Sequence, residues 1–149
     1  MGFRTYKLGT PFSQFNSDDL ESQGAFRTDH KLYGVKTFDK QLGAAEIDSI
    51  QLDFVQDILQ SITVRVKGKQ NSLALKATLV AAYGQPDETS QMLGETDTWN
   101  GGDCVLTFST GGFGDDSSAN FSSQSVDAKI QAITEKKAQS GAAAGAQNL

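Results

Sequence analysis

The chain has 149 residues, 38% of them apolar and 21% charged, with a formal net charge of −5. That length suits one domain, able to bury roughly two thirds of the surface its unfolded form exposes, and no apolar run reaches the roughly 20 residues that a membrane-spanning helix needs. The negative field repels phosphate backbones and no Lys/Arg cluster reverses it locally, which excludes nucleic acid as an expected partner; the lone Cys104 excludes an internal disulfide and a Cys-rich zinc site, and sits among apolar residues as a small buried side chain.

Met1 and Gly2 lead into Phe3, Arg4, Thr5 and Tyr6 without the charged start and apolar run of a secretory signal. Two readings of compartment follow: a cytoplasmic protein, or the mature part of an exported, periplasmic one whose leader is absent from this chain. Abundant Gln, Ser, Thr and Gly with few Lys favours export. Thr10 is placed to cap a short helix, Pro11 to Phe15, whose first position tolerates the missing proline N–H, with Phe12 and Phe15 pointing inward. Asn16 to Gln23 reads as polar loop with Leu20 as an anchor. Phe26 to Phe38 is strand-like with apolar groups on both faces and Gly34 as a bulge or close approach, and Gln41 to Ala45 bridges onward.

The strongest pattern runs from Ile47 to Pro86. Ile50, Leu52 and Phe54 alternate with Gln51 and Asp53; after a break at Gln56 and Asp57, Ile62, Val64 and Val66 alternate with Thr63 and Arg65. A period of two on both sides of a short break predicts an antiparallel hairpin with one buried face. A helix follows, capped by Asn71 or Ser72, with Leu75, Leu79 and Tyr83 on one face, Gly84 as its left-handed stop and Pro86 forbidding resumption. Glu95 to Trp99 then pairs with Cys104 to Ser109 through the Asn100–Asp103 turn, Phe121 belongs to a short strand, and Ser125 caps a last helix with Val126, Ile130 and Ile133 as its buried stripe.

Helix, then Leu79, Tyr83, Gly84, Gln85 and Pro86, then a spacer, Trp99 and an apolar strand, resembles the unit found in small bacterial envelope proteins, among them the outer-membrane assembly lipoproteins typified by BamE and the beta-lactamase inhibitor protein. The opening Gly9, Thr10, Pro11, Phe12 and Ser13 is similar to the start of several exported bacterial proteins. The resemblance implies an α+β fold with helices on one face of an antiparallel sheet, working by protein contact.

Catalytic signatures are sparse. His30 is the only histidine; as a general base it needs an orienting group, and its neighbour Asp29 points to the opposite side of an extended chain, so the alternative is an ordinary exposed histidine. No Gly-x-Ser-x-Gly elbow presents a nucleophile. Asp115, Asp116, Ser117, Ser118 and Asn120 lack the register of a calcium loop, and Gly111 to Gly114 lacks the following Lys-Ser/Thr of a phosphate cradle. No cofactor and no metal is expected. Trp99 at a hairpin end is either core or a partner contact; Tyr33 and Phe113 face the same choice, with Phe113, among glycines and acids, the more exposed candidate.

The expected architecture is a single α+β domain over 1–139 with a disordered Gly/Ala-rich tail over 140–149: an antiparallel sheet of about five to seven strands with two main helices, Ser72 to Tyr83 and Val126 to Lys137, packed on one face. The expected function is a non-catalytic, inhibitor-like protein-interaction module of the bacterial envelope, whose other sheet face or Gly-rich loops meet a protein partner. Two alternatives stand beside it: a small hydrolase-type enzyme using carboxylates such as Asp29, Asp97 or Asp103 in a helix/sheet cleft, and a carrier of a small apolar ligand.

Overall fold

The computed structural model describes residues 1–27, 29–111 and 114–149, without the side chain of Phe26. It is an α+β structure with a nine-stranded antiparallel sheet, a two-stranded one and two α-helices. The small sheet pairs β1 (Gly2–Phe3) with β2 (Tyr6–Lys7). The large one contains β3 (Leu20–Arg27), β4 (His30–Val35), β5 (Gln41–Leu42), β6 (Ala45–Val55), β7 (Ile58–Val66), β8 (Glu88–Ser90), β9 (Thr96–Gly101), β10 (Cys104–Thr110) and β11 (Ser117–Ser123). Its order is β3-β4-β6-β7-β11-β10-β9-β8, with β5 added beside β6. The helices are α1 (Lys69–Tyr83) and α2 (Gln124–Ala146).

The β6–β7 hairpin forms as its alternation requires, and two register shifts refine it. One at Asp48 lets Ala45 and Ile47 face inward together with Ile50, Leu52 and Phe54; a second near Gln60 does the same for Leu59 and Ile62. Gln56 and Asp57, both at positive φ (54° and 58°), make the turn between them. Register partners share a face, so the inner face can be read across strands. Ile50, Val64, Ala119, Phe108, Asp97 and Thr89 form one row; Tyr33, Leu52, Ile62, Phe121, Leu106 and Trp99 form the next.

Leu75 and Leu79 of α1 close this face, and α1 packs against β6 and β7. Phe3 stacks obliquely on Phe121 at 5.5 Å, while Phe12 and Phe15 present edges to Phe54 at 5.1 and 5.2 Å. Helix α2 packs against β7 and β11; its Ile130 is buried and Val126 lies against Gly9. No helix among the described residues is long and apolar enough to cross a membrane.

Several expectations are corrected. Among the described residues the sheet has nine strands rather than five to seven, because β3 begins inside the stretch read as loop and the short β5 and β8 pair into it from stretches read as connections. Thr10 caps no helix. Pro11 bridges Ile58, the Thr10 carbonyl accepts from Leu59, and only a 3₁₀ turn forms at Phe12–Gln14. Helix α1 starts at Lys69 behind Gly68 with no side-chain cap. The polar groups expected to cap it tie it sideways instead: Asn71 Oδ1 accepts from Glu46 N, and Ser72 Oγ donates to the Asp115 carbonyl.

Tyr83 is 50% exposed rather than buried with Leu75 and Leu79, since the helix ends there and frees the ring from the packed stripe. His30 is half-buried in β4 rather than exposed, and Cys104 is half-buried rather than buried. Ser123, not Ser125, caps α2. That helix continues to Ala146 through the stretch read as a disordered tail; alanine, the strongest helix former, dominates there, and every residue of 140–149 is exposed.

Candidate functional site

The alternation that buries Trp99 also buries Asp97, two residues before it on the same face of β9. A carboxylate in a row of Val64, Ala119 and Phe108 requires compensation, and α1 supplies it. Lys76, one residue along from the buried Leu75, reaches Asp97 Oδ2 at 3.2 Å and also bonds Glu95 Oε1. Thr89 Oγ1, across the β8–β9 pair, donates to Asp97 Oδ1 at 2.9 Å. Among the described residues, the Lys76 ammonium alone meets Oδ2. Glu95 is positioned by its own backbone: its N–H donates to Thr110 Oγ1 and its carbonyl accepts from Thr110 N–H. The cluster opens onto a crevice of about 220 Å³ whose walls include Ser72, Leu73, Lys76, Glu95, Phe108 and Thr110.

The side chains of Lys76, Glu95 and Asp97 are 32%, 24% and 0% exposed. The Glu95 hydrogen bond, partly opposed by burial and aided by Asp97, raises the Lys76 pKa above its ordinary value. The lysine therefore stays an ammonium near neutral pH. It offers no neutral amine for nucleophilic attack or proton abstraction, and the two carboxylates spend their charge on it. What this arrangement does is fasten α1 to the β9–β10 hairpin. Among the described residues, no group of three or more His, Cys, Asp or Glu side chains is placed to hold a metal ion.

Asp103 has a different duty. In the β9–β10 turn it accepts from Ser125 N–H (2.7 Å), Ser125 Oγ (2.8 Å) and Ser123 Oγ (2.6 Å), joining Ser123 at the positive end of α2. These hydrogen bonds, Ser123 first, lower its pKa. Asp29 sits elsewhere again, taking a long 3.4 Å contact from Gln56 Nε2 beside the β6–β7 turn. The three carboxylates singled out for an enzymatic reading are thus held by three separate networks.

Of the expected contact residues, Trp99 lies in the core, its Nε1–H donating to the Gly84 carbonyl at 2.8 Å where α1 ends. The ring closes the helix C-terminus rather than facing outward. Tyr33 is half-buried, stacked on Phe12 at 4.9 Å with its edge toward Phe54. Phe113 lies outside the described residues.

The sequence reading offers the second sheet face as a place for a partner but names no residue on it. Gln51, Thr63, Asn120, Thr107, Thr98 and Glu88 are register partners across six strands, flanked by Ser49, Arg65, Ser118, Ser109, Thr96 and Ser90 on one side and Asp53, Ser61, Ser122, Val105 and Asn100 on the other. Asn120 Nδ2 donates to Thr63 Oγ1, and Arg65 to Gln51 Oε1. The signal was present in the polar half of each alternation, but a strand built from serine and alanine carries little hydropathy contrast. Neither a protein-family model, nor a curated protein, nor a solved structure matches this chain.

Proposed function

We propose that the protein is a non-catalytic, inhibitor-like interaction module of the bacterial envelope that meets a protein partner through the hydroxyl-rich face of its sheet, the helices serving as cover. The observation that carries this reading is the three-row array on β7, β11, β10 and β9, made of Ser, Thr and Asn except for Arg65 and Val105. Short polar side chains on paired strands lose little entropy on contact and offer both donors and acceptors, which suits a wet, polar protein interface. The charged networks support it from the other side, because buried Asp97, half-buried Lys76 and Glu95, and exposed Asp103 are all taken up by structural bonds.

Export rests on the richness in Gln, Ser, Thr and Gly. The test is crosslinking capture from a periplasmic extract with the wild type, a face variant carrying Thr98→Lys and Thr107→Glu, and a control carrying Leu73→Ser on α1. A partner retained by the control and lost by the face variant is the expected result. Equal capture by all three chains would sink the reading.

A further inference from the structure

Two apolar features of this molecule are matched in size, and they lie on different elements. One is a protrusion. Met92 and Leu93 are 90% and 88% exposed in the loop between β8 and β9. That loop is pinned: Glu95 N–H donates to Thr110 Oγ1, and Gly94, at φ +86°, approaches β10 so closely that a Cβ would stand 2.6 Å from the Thr110 carbonyl oxygen. Two aliphatic side chains held out on a fixed loop dock with little loss of backbone freedom.

The other feature is a crevice of about 90 Å³ between α1 and the sheet, walled by Phe3, Leu42, Leu79, Ala82 and Tyr83. That volume equals about three water molecules at about 30 Å³ each, room for one leucine or methionine side chain. Sites for small organic ligands run to about 300–1,000 Å³. Charge completes the match. Asp87 and Glu88 precede the protruding pair in sequence, whereas the guanidinium of Arg4 lies 5.1 Å over the Phe3 ring at the crevice. Arg4 bonds the carbonyls of Asp39 and Gln41 and, among the described residues, forms no ion pair with a carboxylate.

We propose that the occupant of the crevice is one side chain of the Met92–Leu93 tip of a second copy of this chain, with the acidic approach of one copy facing Arg4 of the next. This self-association is independent of the partner proposed for the sheet face. The contact is heterologous: each copy in a pair keeps one free tip and one free crevice, so assembly proceeds past the dimer unless a ring closes.

Sedimentation velocity on the purified full chain, from micromolar to millimolar, reads this directly. The wild type is expected to rise above its 15.9 kDa monomer mass with concentration. Met92→Ser/Leu93→Ser, on side chains the fold does not use, should weaken association by roughly tenfold or more. Ala82→Trp fills the crevice mouth and should do the same, with Tyr83→Asp as a second crevice variant and circular dichroism verifying that each is folded. An equimolar mixture of tip-deficient and crevice-blocked chains retains one intact tip and one intact crevice, and should stop at a dimer. A monomeric wild type throughout, association unmoved by the tip substitutions, or no dimer from folded variants overturns the proposal. So does a small molecule retained in the crevice by native mass spectrometry.

Discussion

Replacing Lys76 by methionine keeps an unbranched apolar side chain at this position of α1 and removes the ammonium that meets Glu95 and Asp97. Asp97, with no exposed side-chain surface, is then left with the Thr89 hydroxyl as its only donor among the described residues. Deleting one member of a fully buried ion pair costs about 3–5 kcal/mol. Lys76 and Glu95 keep 32% and 24% of their side-chain surface in water, so screening reduces the loss to about 2–3 kcal/mol. For a domain of this size that lowers the melting temperature by about 5–10 °C.

Urea denaturation of the wild type, Lys76→Met and Lys76→Met/Asp97→Leu measures it. The double variant should recover most of the loss, because a leucine in the row of Ile50, Val64, Ala119 and Phe108 needs no cation. The pH dependence has a definite sign. Since the Lys76 pKa is raised, chiefly by Glu95, its stabilisation is complete below the ordinary 10.5 and is lost as pH climbs through the raised value. The wild type should therefore lose stability above about pH 10.5 more steeply than Lys76→Met. Tyr6, raised by burial and by Asp19, acts in the same direction in both proteins and cancels in the comparison. A loss under about 0.5 kcal/mol, the scale of an exposed pair, or a double variant weaker than the single one, would refute the reasoning.

Trp99→Phe removes the Nε1–H bond to the Gly84 carbonyl and part of the buried ring, and should cost about 1–2 kcal/mol in denaturant titration. Leu79→Ala opens a cavity beside the existing crevice, with an expected loss of about 2–4 kcal/mol by the same assay. Asp103→Asn weakens the hydrogen bonds at the start of α2. Because the Asp103 pKa is lowered, its contribution is present above the ordinary 3.8 and fades as pH falls through the lowered value; acid unfolding of Asp103→Asn should lack that component. Gly94→Ala forces a Cβ against the Thr110 carbonyl at positive φ, and should destabilise by about 1–3 kcal/mol while shifting the amide resonances of Gln91 to Glu95.

The elements legible in the sequence are those in which large apolar residues alternate. The β6–β7 hairpin, its break at Gln56 and Asp57, the stripe of Leu75 and Leu79, the Gly84 stop and the β9–β10 hairpin around Trp99 all carry that signal. What was illegible is written in small or polar residues. Strand β11 buries Ser117, Ala119, Phe121 and Ser123, so only Phe121 stood out. Strand β3, with Glu21, Ser22 and Gln23 exposed, reads as loop because little but its register with β4 makes it a strand.

Helix caps were misplaced for a related reason. Asn71, Ser72 and Ser125 can cap locally, yet each finds a tertiary partner in Glu46, Asp115 or Asp103. The ion cluster was half visible. Asp97 shares a parity with Trp99, which puts it inside, but only the packing of α1 against the sheet names Lys76 as its counterion.

Strand β11 is inserted between β7 and β10, so the middle of the molecule is stitched to a segment that leaves the ribosome late. Thr63 must wait for Asn120, 57 positions downstream, before its side of β7 has a neighbour. Synthesis therefore delivers a β6–β7 hairpin with a bare edge and an unfinished floor beneath α1. The last strand to emerge acts as the keystone, and premature termination before Ser117 leaves two half-sheets with no strand to pair them.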